Sequence, residues 1–102
     1  MNRVRVSSLA EQDLDDIWHE IAKRSGSLEI ANGVVDSITD IFPLFGSTPE
    51  AGRRRDDIEL GVRTFPVEKY IIYYRNSGQY LVISRVIHGM RDQKAAYFSD
   101  EE

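Results

Sequence analysis

The sequence predicts an α+β domain in which an N-terminal antiparallel helix hairpin packs on one face of a small, mostly antiparallel β-sheet. Three observations predict it. Apolar residues recur at spacings of three and four from Ala10 to Phe42, and Pro43, Gly46, Pro49 and Gly52 then break that period. From Val62 onward, β-branched and aromatic runs separated by turn residues take its place. A chain of 102 residues and 11.7 kDa fits one such domain, 1–102.

Arg3-Val4-Arg5-Val6 alternates polar and apolar residues, the period of a half-buried strand. Ser8-Leu9-Ala10-Glu11 reads as a capping box that opens the first helix, and Asp13, Asp15 and Asp16 suit the positive end of its dipole. Ala10, Leu14, Ile17, Trp18, Ile21 and Ala22 form its apolar stripe, which is expected to be core, and Gly26 after Lys23-Arg24 marks its stop. Leu28, Ala31, Val34, Val35, Ile38, Ile41 and Phe42 give a second helix, joined through Ser25-Gly26-Ser27 and ending or kinking at Pro43. A strand carrying Val62 and interrupted by Pro66 is expected to lie beside a hairpin. Tyr70 to Tyr74 and Tyr80 to Ile87 supply the hairpin's strands, with Asn76-Ser77-Gly78 as its turn. Gln93 to Phe98 can close the chain as a short helix.

Composition narrows the function classes. No run of about 18 apolar residues is present, so no membrane-spanning helix is expected, and the first residues lack the apolar stretch of a secretory signal. The absence of cysteine excludes disulfides and thiolate metal sites, which fits a reducing cytoplasm. Two histidines without paired spacing give no metal site, and no phosphate-binding glycine loop or nucleophile elbow occurs. The net charge of −4 disfavours a general nucleic-acid binder, yet charge is unevenly spread. Residues 1–50 hold four Lys/Arg against nine acids, whereas residues 53–94 hold nine against five. A basic half of this kind suits an anionic partner, RNA or an acidic peptide; it also suits a merely solvated surface.

Three groups of residues could carry chemistry. Arg85, His88, Arg91 and Asp92 fall within eight residues at the end of the last strand. A nuclease could use His88 as general acid or base and either arginine to hold a phosphate. Alternation, however, sends Arg85 and Ile87 to one face of that strand and Val86 and His88 to the other. The alternative is that Asp92 pairs locally and His88 caps a turn. Arg53-Arg54-Arg55 make a positive loop, diluted by Asp56, Asp57 and Glu59. Tyr70, Tyr73, Tyr74 and Tyr80 could stack on bases, although alternating strand tyrosines more often pack across strands.

At these residues the sequence resembles the ParE branch of the ParE/RelE toxin superfamily. Ala10 to Ile17 is similar to the family's opening helix, and Pro49 to Arg55 resembles its Pro-x-x-Gly-Arg-x-Arg loop. Gly61 to Val67 and Tyr70 to Arg75 resemble its two middle strands, and Arg85 to Asp92 resembles its closing Arg-Val-x-His-Gly-x-Arg-Asp signature. Four matches run in order over residues 7–92.

The resemblance implies a type II toxin held silent by a cognate ParD-like antitoxin in a hetero-oligomer, with DNA gyrase as target and replication as the process blocked. It implies no catalytic residue, no cofactor and no sequence-specific nucleic-acid binding by the toxin alone. Arg53, Arg55, Arg63, Arg75, Arg85, His88, Arg91 and Asp92 are the expected antitoxin- or target-binding residues. RelE relatives instead cut mRNA on the ribosome; for that alternative His88, Arg85, Arg91 and Tyr97 are the candidate catalytic residues. The acidic isoelectric point, about 5.2, weighs against it, because RNA affinity comes largely from phosphate neutralisation. A degenerate toxin that only binds its antitoxin is a third possibility.

Overall fold

The computed structural model describes residues 3–99. β1 (Arg3–Val6) leads directly into α1 (Ser8–Ser25), and Gly26 in the left-handed region (φ 70°) ends that helix. α2 (Leu28–Thr39) returns alongside it after Ser27, whose hydroxyl accepts from the Ile30 amide. A short α3 (Phe42–Ser47) and one 3-10 turn (Pro49–Ala51) carry the chain to β2 (Arg53–Arg54). β3 (Arg63–Val67), β4 (Tyr70–Ser77), β5 (Tyr80–His88) and α4 (Gln93–Phe98) complete it.

The five strands form one sheet in the order β1-β5-β4-β3-β2. Every pairing is antiparallel except β1 with β5, which is parallel, so the sheet is mixed. α1, α2 and α3 cover one face, where Ile17, Ile38, Phe42 and Phe45 pack on Ile72, Tyr74, Leu81 and Ile83. A second, smaller cluster of Tyr73, Ile87, Ile58, Val62, Ala96 and Tyr97 fills part of the other face under α4. The register slips by one residue at Tyr73/Tyr74, which oppose Arg85 and Ile83 and leave Ser84 unopposed. That bulge keeps Val86 with the helices and Ile87 with α4, the two faces that alternation predicts.

Local details differ from the sequence expectations. The α1 cap is Ser7, not Ser8, and its hydroxyl accepts from the Ala10 amide while donating to the Ser84 carbonyl. α2 stops at Thr39, and Pro43 opens α3 instead of ending α2, because the first turn of a helix needs no amide from it. Val62 precedes its strand, and the β4–β5 turn sits on Gly78-Gln79. Trp18 is half-buried, its indole donating to Asn32 across the helix hairpin at 2.7 Å. No helix among the described residues is long and apolar enough to cross a membrane.

Candidate functional site

Arg85 leaves β5 at 4% exposure. Its Nε and Nη2 donate to the Asp13 carboxylate on α1 at 2.8 and 2.9 Å. Its Nη1 donates to the carbonyls of Ala96 and Tyr97 at 3.0 and 3.1 Å, and to that of Ser99. One guanidinium thus neutralises a half-buried carboxylate and satisfies carbonyls at the C-terminal end of α4. Asp13 also accepts the Val86 amide at 2.9 Å, past the point where β1 stops covering the edge of β5. The arginine is held inside the fold and presents no free donor face to a partner.

His88 and its neighbours build the turn that follows. The Met90 amide donates to His88 Nδ1 at 3.1 Å, so the neutral ring carries its proton on Nε2. The ring stands edge-on to Tyr70, with centroids 5.3 Å apart. Asp92 caps α4 by accepting the Ala95 amide at 3.2 Å. Arg91 is exposed and lines a groove of about 270 Å³ with His88, Tyr70, Asp16 and Glu20. His88 and Arg91 thus face one groove, while Arg85 is engaged between α1 and α4.

The arginine loop is largely self-paired. Arg54 meets Asp56 at 2.7 Å, and Arg55 grips Asp57 through two bonds of 3.0 Å. The hydrogen bond from Arg55 holds the Asp57 carboxyl below its ordinary value and raises the arginine above its own. Arg53 is exposed on β2. Half-buried Arg63 donates to the Gly52 carbonyl at 2.8 Å. The Gly52 amide in turn donates to the Tyr74 hydroxyl at 2.6 Å, which donates to the Pro49 carbonyl at 2.8 Å. Burial pushes the Tyr74 phenol above its usual value.

Sequence reasoning missed one residue here. Glu59 accepts from the Tyr97 hydroxyl at 2.7 Å and lies 3.9 Å from Arg75. Tyr97 also reaches the Ser84 hydroxyl at 3.3 Å, and burial is the largest cause raising its phenol. The cluster joins a loop, two strands and α4, so no local spacing signals it. Tyr70, Tyr73 and Tyr74 are buried as packing residues, as the strand alternation suggested. Among the described residues no group of three His, Asp or Glu side chains could hold a metal ion.

Large apolar side chains remain outside. Leu28 and Ile30 stand out from the start of α2, and Leu60, Met90 and Phe98 from loops and the end of α4. Exposed apolar groups beside charged ones suit a protein partner.

Comparison with known proteins agrees with this architecture. Residues 4–93 match the family model described as the ParE toxin of the type II toxin–antitoxin system parDE. Toxin ParE3 of Caulobacter vibrioides is 30% identical over 89 residues, covering 87% of this chain and 88% of that protein. A solved structure described as a chromosomal ParDE TA system from P. aeruginosa shares the fold, with a TM-score of 0.76 at 24% identity. That likeness covers 86% of this chain and 96% of the solved one. The chain belongs to the ParE toxin family of type II toxin–antitoxin systems.

Proposed function

We propose that this toxin acts as a protein poison of DNA gyrase that blocks replication in the cytoplasm, and that a cognate ParD-like antitoxin neutralises it. The observation that carries the reading is the state of the residues a nuclease would use. Arg85 is locked between Asp13 and α4, and His88 accepts a turn amide. The Tyr97 phenol is held protonated by burial. A general base needs a free acceptor near its operating pH, and these groups lack that freedom. The antitoxin part is supported by exposed Leu28, Ile30, Leu60, Met90 and Phe98, and by the exposed side chains of Arg53 and Arg91. A disordered acidic and apolar segment could cover such a surface. The P. aeruginosa relative is described as a ParDE system, and the same pairing is proposed here.

A supercoiling assay with purified gyrase tests the reading. Trapped cleaved plasmid at stoichiometric toxin supports it; unaffected supercoiling at large molar excess overturns it. The second reading, ribosome-dependent mRNA cleavage, draws on Glu59, Tyr97 and Arg75, which bring a carboxylate, a phenol and a guanidinium together. Following DNA and protein synthesis separately after induction distinguishes the two. A chain that binds its antitoxin and arrests neither process is the degenerate toxin.

A further inference from the structure

The face of the sheet opposite the helices is only partly covered. α4 and residues 58–62 shield the half around Tyr73 and Ile87. At the other end the register places β1, β5 and β4 side by side, with Arg5 opposite Val82 and Val82 opposite Arg75. The next row is Arg3, Tyr80 and Ser77. Directly paired residues share a face, and Val4 and Val6 point to the helices, so Arg3, Arg5, Tyr80, Val82 and Arg75 all stand on the open side.

The chemistry of this patch is unlike the rest of an acidic protein. Arg3, Arg5 and Arg75 are exposed, and Arg5 lies over the Tyr80 ring with its guanidinium carbon 3.8 Å from the ring centroid. Among the described residues Arg3 and Arg5 have no carboxylate within 4 Å, and Arg75 has only Glu59 at 3.9 Å. Other arginines are tied up: Arg24, Arg54, Arg55 and Arg85 each pair with an acid.

We propose that this face, built from Arg3, Arg5, Arg75 and Tyr80, binds the phosphodiester backbone of single-stranded nucleic acid without sequence preference. Stacking on Tyr80 fixes the Arg5 plane, leaving its edge N–H groups for a phosphate and its outer face as a platform for a base. Arg3 lies two residues along the same strand and Arg75 two strands across, so neighbouring phosphates can be met together. An acidic peptide fits less well. Val82 is too small an apolar anchor for a peptide side chain. The site is independent of gyrase inhibition, which can hold or fail without it.

Fluorescence anisotropy of the full chain with a labelled oligothymidylate, read across a salt series, tests the proposal. With three arginines engaged, the logarithm of affinity should fall against that of salt with a slope near −2, about −0.7 per phosphate. Arg5→Glu combined with Arg75→Glu should weaken binding at least about tenfold and flatten the slope. Lys23→Glu combined with Arg24→Glu, on α1, makes an equivalent charge change elsewhere and should leave affinity within about twofold. Circular dichroism melts confirm that each variant is folded. No binding at low salt, or equal loss in both variants, overturns the site. So does equally tight binding of polyglutamate, which would make the face a docking surface for acidic protein.

Discussion

Asp13 and Arg85 lie 72 positions apart in the chain and meet as a two-pronged, nearly buried ion pair. The pair ties α1 to β5, and the remaining donor of Arg85 ties both to the end of α4. Removing one partner leaves the other charge nearly buried without its counter-ion. Asp13→Ala should therefore destabilise the toxin by about 3–5 kcal/mol. A domain of this size loses roughly 4–8 °C of melting temperature per kcal/mol, so the variant should be close to unfolded at 37 °C. Asp13→Ala combined with Arg85→Met should recover part of the loss, because both charges are gone. Calorimetric melts of the two variants decide it; a single variant that melts like the wild type would remove the clamp.

Gly52 gives a sharper local test. A Cβ there would sit 2.7 Å from the Tyr74 hydroxyl and 2.9 Å from the Thr64 carbonyl. The first atom belongs to a buried ring stacked on Phe45, the second to backbone, so neither yields cheaply. Gly52→Ala should destabilise, and Tyr74→Phe should cost about 1–3 kcal/mol through the unpaired Gly52 amide and Pro49 carbonyl. Gly33, inside α2 with open space around it, is the contrast. Gly33→Ala should stabilise by about 0.5–1 kcal/mol. Urea titrations of the three variants read these signs directly.

Gly52 also marks how far the sequence could be read. Periodicity located both long helices, the stop at Gly26 and the β4–β5 hairpin, because those signals are local. The cap on Ser7 was one residue off because its hydroxyl also answers to the Ser84 carbonyl, a tertiary contact. The parallel pairing of β1 with β5 joins the two ends of the chain, and no local pattern sets it. The same holds for the candidate site. Alternation put Arg85 and His88 on opposite faces, but the α4 carbonyls that hold Arg85 and the Glu59–Tyr97 contact depend on how α4 docks. The loop arginines looked like one patch, yet two of them are held by acids two positions away.

Alkaline pH should unfold the toxin from its tyrosines. Burial raises the phenols of Tyr70, Tyr73, Tyr74 and Tyr97 above the ordinary value of 10.0. Above that pH the unfolded chain releases these protons while the folded chain keeps them. Unfolding then releases protons, and stability falls as pH rises. The contribution is fully present below the unfolded value and is lost as pH climbs through the folded ones. Phenolate absorbance of these residues should appear together with the loss of circular dichroism. Ionisation of all five tyrosines well before unfolding would contradict it.

Tyr97 separates the two functional readings. Tyr97→Phe removes the hydroxyl that binds Glu59 and Ser84 and leaves the ring against Tyr73. Its stability cost should be small, about 0.5–1.5 kcal/mol. If the toxin poisons gyrase, growth arrest on induction should persist in Tyr97→Phe and in Glu59→Gln. If those groups move a proton during mRNA cleavage, each variant should lose about 10²–10⁴-fold in rate, and arrest should disappear. Induction of both variants, with DNA synthesis followed over the same interval, reads the difference. Arrest retained with early loss of DNA synthesis assigns Glu59 and Tyr97 to the scaffold that holds α4 on the sheet.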